Sequence, residues 1–132
     1  KNTRFNTKIK IVMNFKKIIL DFYKSEALIN PSVLATYLHD DILLEWNSST
    51  GFIKMNREDL LSLASELSRS YIRSKVEISH IVKEGDFISV RYAHSVKTIE
   101  NPREYILLAN FMVIWELKDE KLYRGYQISQ VV

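Results

Sequence analysis

The side chains of this chain that could do chemistry are few and widely spaced. Its histidines are His39, His80 and His94, separated by 41 and 14 positions. No two stand four apart, so no helix face can grip a metal with a histidine pair. Asp40-Asp41 are adjacent carboxylates, a pattern that can divide acid and base roles but more often ends a helix and caps a turn. The serines lack a Gly-x-Ser-x-Gly elbow, and Ser62, Ser65, Ser68 and Ser70 read as the solvated face of a helix. Cysteine is absent, which excludes disulfides, thiolate metal sites and a cysteine nucleophile. The three glycines, Gly51, Gly85 and Gly125, are too far apart for a Walker loop or a dinucleotide fingerprint. No cofactor and no metal is expected.

Two of the histidines gain interest from their surroundings. Over residues 74–82, Val76, Ile78, His80 and Val82 alternate with Lys75, Glu77, Ser79 and Ile81. Over residues 87–96, Ile88, Val90, Tyr92, His94 and Val96 alternate with Phe87, Ser89, Arg91, Ala93 and Ser95. Each pattern is a strand with one apolar face. His80 and His94 thus fall on faces turned toward a core. A neutral imidazole there has its pKa lowered by desolvation and is a candidate base near neutral pH. The plainer reading is a core histidine satisfied by one backbone bond. Gln127, between Tyr126 and Ile128, is a candidate single hydrogen-bond donor unless a bulge turns it away. Trp46, Tyr92, Phe111 and Trp115 are candidate walls of a pocket or members of a core. His39 is read as a structural cation at a helix end.

The elements that must position these groups follow from periodicity. Phe15, Ile18, Ile19 and Phe22 at i, i+3, i+4, i+7 predict an amphipathic helix over 13–27. Asn30-Pro31 starts a second helix ending near His39. Ile42–Asn47 is a strand, followed by a turn at Ser48–Gly51. Asn56 caps a third helix with Leu60, Leu63, Ala64 and Leu67 as its stripe. Four consecutive strands follow, with turns at Gly85-Asp86, Asn101-Pro102 and Lys118-Asp119-Glu120. The order is ααβαββββ. Sequential strands pair antiparallel, and helices gathered on one face give an α+β domain.

At 132 residues the chain is one domain. Its formal charge is +3, but Lys1, Arg4, Lys8 and Lys10 supply four positive charges in a polar leader over residues 1–12. Without that leader, residues 13–132 carry 15 basic and 16 acidic side chains. A nucleic-acid partner is therefore not expected, because phosphate binding needs a clustered basic footprint on the domain itself. Met13 is a candidate natural start. No apolar run reaches the length of a secretory h-region or of a membrane span. A cytoplasmic protein is expected, with no membrane partner.

The segment Tyr105–Leu117 is apolar on both faces, with Ile106, Leu108, Met112 and Ile114 opposite Leu107, Ala109, Phe111, Val113 and Trp115. Too few helices exist to cover both. A second copy on the outer sheet face is the expected cover, giving a homodimer.

The segment Phe22-Tyr23-Lys24, followed by Leu34–Asp41, resembles the helix pair and acidic corner of the nuclear-transport-factor-two-like, or SnoaL-like, superfamily. Ile42–Trp46 resembles its first strand, and Val113–Leu122 its last hairpin. The likeness runs over residues 13–132. It implies a cone, a curved sheet wrapped around helices with a cavity at one end, which is a default site for a small ligand. The ketosteroid isomerases of that superfamily use a tyrosine on the first helix, an aspartate base and a protonated aspartate on a later strand. A gap-free alignment puts Phe22, Trp46 and Val113 at those places, and none of the three can move the required proton. A shift of one residue would offer Tyr23 and Glu45 instead.

The resulting expectation is a SnoaL-like cavity protein for a small, mainly apolar or aromatic ligand. His94, Tyr92 and Gln127 would supply polarity, and Trp46, Phe111 and Trp115 the walls, with His80 beside them. If catalytic, His94 would be the base in a cofactor-free proton transfer, dehydration or cyclisation. The alternative is a non-catalytic dimeric interaction module.

Overall fold

A computed structural model describes residues 15–132; the basic leader lies outside them. Helix α1 runs over residues 15–24 and buries Ile19 and Phe22, while Lys16, Lys17 and Lys24 face outward. It stops short of Ala27. The Ser25 hydroxyl donates back to the Phe22 carbonyl at 2.6 Å, and Glu26 adopts a left-handed φ of 60°. A 3-10 turn, Ala27–Ile29, follows.

Helix α2 spans Pro31–Tyr37, with the Asn30 side chain accepting from the Val33 N–H and proline in the first turn. It ends before His39. Buried Leu38 turns to extended backbone and opens strand β1, Leu38–Ser48. His39 is therefore a strand residue, not a helix cap. Its Nδ1 accepts from the Asp41 N–H at 3.0 Å, across a register shift between Leu38 and Leu43. Asp40 and Asp41 lie exposed on this irregular stretch.

Strand β2, Gly51–Asn56, was not expected. It pairs back on β1 from Ser48↔Gly51 to Leu43↔Asn56. Of its apolar residues only Met55 is buried, while Phe52 and Ile53 are exposed, so no inward face marks it. Helix α3, Arg57–Ser70, begins in a capping box between Asn56 and Asp59. Strands β3 (Tyr71–Glu84), β4 (Phe87–Thr98), β5 (Ile106–Lys118) and β6 (Lys121–Val131) complete the chain.

The six strands form one sheet in the order β2-β1-β6-β5-β4-β3. Consecutive strands with no helix between them pair antiparallel, as hairpins must. The exception is β1 with β6, which pair parallel, so the sheet is mixed rather than wholly antiparallel. These two strands are far apart in sequence, and no hairpin dictates their direction. The α+β class stands, with one strand more than the ααβαββββ order. The helices cover one side of the sheet. The core there joins Ile19, Phe22 and Leu34 to Leu44, Val90, Val113 and Leu122. The other side leaves Met112, Ile114, Tyr126 and Ile128 exposed.

Candidate functional site

Between the helices and the concave side of the sheet lies a hollow of about 100 Å³. That is several times the roughly 10–15 Å³ needed for one water. From β4, alternation sends Val90, Tyr92 and His94 inward. From β5, Phe111 and Trp115 enter the wall, and from β1, Leu44 and Trp46. Gln127 on β6 lies between Trp46 and Val113, its register partners on the neighbouring strands. The helical side is aliphatic, with Leu34 of α2 and Leu60, Leu63 and Leu67 of α3. Those three α3 leucines are only half-buried.

The aromatic wall is ordered by contacts between rings. Tyr92 stacks on its strand partner Phe111 at 4.8 Å and 7°. Trp46 lies 6.1 Å from Phe111 and donates its indole N–H to the Ser129 hydroxyl at 2.8 Å. Trp115 donates to the Tyr23 hydroxyl at 2.9 Å, and the Tyr23 and Tyr92 rings are 4.6 Å apart. Burial raises the pKa of both phenols, so they stay neutral. Gly125 makes room for this arrangement. A Cβ there would sit 2.5 Å from the Trp115 ring and 2.6 Å from Leu44.

His94 is 5% exposed and faces the small Ala109 across the sheet. Its Nε2 is 2.7 Å from the Ser74 hydroxyl on β3. Behind Ser74 stands Glu26, whose Oε1 accepts from the Ser74 N–H at 2.8 Å and from Arg73 Nε at 2.9 Å. Desolvation alone would raise the Glu26 pKa, but the Ser74 amide and Arg73 outweigh it and hold it below its ordinary value. Desolvation lowers the His94 pKa to about 4. The direction agrees with the sequence reading, but the size changes the chemistry. At neutral pH the imidazole is uncharged and a weaker base than one matched to that pH.

Of the residues singled out from sequence, Trp46, Tyr92, His94, Phe111, Trp115 and Gln127 all border the hollow. His80 does not. The register of β3 against β4 shifts between Ile78 and His80, the signature of a bulge. One extra residue reverses every later side chain. Ile81 joins the core instead, while His80 is exposed, its Nδ1 3.1 Å from the Ser79 hydroxyl. Phe22 and Trp46 border the hollow, and Val113 is buried in the core. Of the alternative pair, Tyr23 borders the hollow, but Glu45 alternates with the inward Leu44 and Trp46 and is not in its wall. Among the described residues no carboxylate lines it.

Sequence reasoning missed Ser74, Glu26 and the role of Tyr23. Tyr23 was within reach, because it stands four residues after buried Ile19 and so shares the inner face of α1. Nothing in the sequence marks Ser74 or Glu26.

Among the described residues no group of three His, Asp or Glu side chains could hold a metal ion, and no helix is long and apolar enough to cross a membrane. No protein-family profile matches the sequence, and no curated protein matches it either. Solved structures do resemble it. AusH from Aspergillus nidulans superposes with a TM-score of 0.74 at 9% identity, over 88% of this chain and 83% of its own. A protein from Jannaschia described as a SnoaL-like polyketide cyclase gives 0.65 at 10% identity, over 89% and 85%. A Catenulispora acidiphila protein with a ketosteroid isomerase-like fold, solved with trimethylamine, gives 0.64 at 14%, over 83% and 82%. Helices on the concave side of a curved mixed sheet, and these superpositions, give the chain the nuclear-transport-factor-two-like, or SnoaL-like, fold.

Proposed function

We propose that this chain is a cavity protein that takes up a small, uncharged, mainly apolar ligand without a cofactor. One observation carries the reading. His94 and Gln127, 5% and 6% exposed, border an apolar hollow with polar atoms that the protein leaves free. Among the described residues, neither His94 Nδ1 nor the Gln127 side-chain amide makes a hydrogen bond, and neither is sealed inside the protein as the unpartnered Arg57 Nε is. Both residues line the hollow, so their free polar atoms are open to it, and a ligand there would complete them. Among the described residues no charged side chain lines the hollow to balance a charged guest. The similarity in fold to SnoaL-like and ketosteroid isomerase-like proteins agrees with such a role.

The test is a titration with toluene and with cyclohexanone, followed by amide and side-chain NMR. Binding should shift Tyr92, Phe111 and Gln127 together. Spectra unchanged at millimolar concentrations of both compounds would end the proposal. The catalytic version is a proton transfer, dehydration or cyclisation with His94 as base. It is favoured by the presence of an imidazole in the wall and disfavoured by its lowered basicity.

The outer sheet face supports a homodimer as part of the same proposal. Met112 pairs with Ile128, and Ile114 with Tyr126, so four exposed apolar side chains adjoin. Arg91, Ser89, Glu45 and Asn47 flank them on the next strands. An apolar centre within a polar border is how an interface core is built. Sedimentation velocity should show a dimer at micromolar concentration, and Ile128→Lys should return a monomer.

A further inference from the structure

We infer that His94 meets its ligand as a hydrogen-bond donor, through Nδ1–H, and that the hollow suits an uncharged carbonyl compound whose oxygen accepts that bond. This rests on the cavity reading above and gives it a ligand class. The argument starts at Ser74, which is 7% exposed. Its hydroxyl can donate one hydrogen and accept two. Its only partner among the described residues is His94 Nε2, at 2.7 Å. Glu26 Oε1 already receives the Ser74 amide and Arg73.

Either tautomer leaves one donor over: the Ser74 O–H, which lies outside the wall of the hollow, or the His94 Nδ1–H, whose ring lines the hollow where a guest or water can accept from it, so the second is the less costly. The Ser74 O–H therefore donates to Nε2. A neutral imidazole carries a single proton, so that proton sits on Nδ1. Burial excludes the doubly protonated ring at neutral pH, because the imidazolium would lie in an apolar wall without a carboxylate. Glu26 and Arg73, beside Ser74, pair with each other.

The consequence is chemical. With Nε2 occupied by Ser74 and a hydrogen on Nδ1, His94 at rest has no free lone pair for the ligand. It polarises an acceptor instead of removing a proton. Ser74 is its positioning residue, fixing which nitrogen holds the hydrogen, and Glu26 holds the Ser74 backbone. The aromatic wall of Tyr92, Phe111 and Trp46 then receives the apolar remainder of the guest.

Two measurements decide this. Nitrogen-15 NMR of imidazole-labelled protein at pH 7 should show Nδ1 protonated and Nε2 bare for His94, and Ser74→Ala should move the population toward the opposite tautomer. A dominant Nε2–H form in the unmutated protein would overturn the inference by itself. The second measurement compares cyclohexanone with methylenecyclohexane, which has a similar shape but no acceptor oxygen. The ketone should bind about three- to tenfold more tightly, the worth of one hydrogen bond. That preference should vanish in His94→Phe. Equal binding of the two probes by the unmutated protein refutes the carbonyl class while leaving the cavity intact. Failure of both probes to bind refutes the cavity reading, and the ligand class with it.

Discussion

Acidification tests the burial of His94 without any ligand in hand. The ring has a pKa of about 4 in the fold against 6.5 when exposed. Between those values the unfolded chain binds a proton that the folded chain refuses. Stability must therefore rise with pH through this window and be lost as pH falls from 6.5 toward 4. Linkage gives a loss of about 1 kcal/mol by pH 5.5 and about 2–3 kcal/mol by pH 4.5, as orders of magnitude. Against a total of roughly 5–15 kcal/mol the effect is large. Glu26 confuses the picture only lower down. Its folded pKa is depressed below 4.5, so its contribution is lost as pH falls through the carboxylate range. The assay is urea unfolding at pH 7.5, 6.5 and 5.5, on the unmutated protein and on His94→Asn. His39 and His80 are present in both, so the difference between the two proteins isolates His94. That difference should shift by about 1 kcal/mol in favour of the variant between pH 7.5 and 5.5. A constant difference across the range would mean that His94 is not desolvated, and the account of the hollow's polarity would fail with it.

Three further outcomes follow from the packing. Gly125→Ala should cost about 1–3 kcal/mol, because a methyl group there meets the Trp115 ring at 2.5 Å. The indole must then tilt, and a tryptophan emission spectrum identical to the parent's would contradict this. Tyr23→Phe removes the acceptor of the buried Trp115 N–H and should cost about 1–3 kcal/mol in chemical denaturation. Replacing the β5–β6 turn by Asp119→Asn with Glu120→Gly should stabilise the protein by about 1 kcal/mol, since both residues now hold left-handed φ values of 53° and 60°. An unchanged thermal midpoint would show that the turn stores no strain.

What the sequence made legible was local. The Ile19 and Phe22 stripe, the Asn30-Pro31 start and the Asn56 cap each depend on residues within one helical turn, and each is where it was expected. The β4 alternation was equally readable, because every second side chain from Ile88 to Val96 is buried without interruption. The parallel closure of β1 on β6 was not, since it depends on the whole path between them. Nor was the fate of His80. Ile78, Ile81 and Val82 offer apolar side chains in both phases, so composition cannot reveal the step where the bulge falls. The result is Val82 at 62% exposure where a core residue was expected. In β2, Phe52 and Ile53 gave no face to read because neither is buried.

The same contrast explains why the site could be half seen. Trp46, Tyr92, Phe111, Trp115 and Gln127 owe their direction to strand alternation, a two-residue rule. The partner that governs His94 comes from another strand, twenty positions earlier, and its support from a loop 48 positions before that partner. Those separations carry no pattern in the sequence. Yet they decide whether the imidazole takes a hydrogen from its guest or gives one. In the reading proposed above, the wall's composition sets what kind of guest would fit, and the hydrogen on His94 how it would be held, through Ser74, which is not part of the wall.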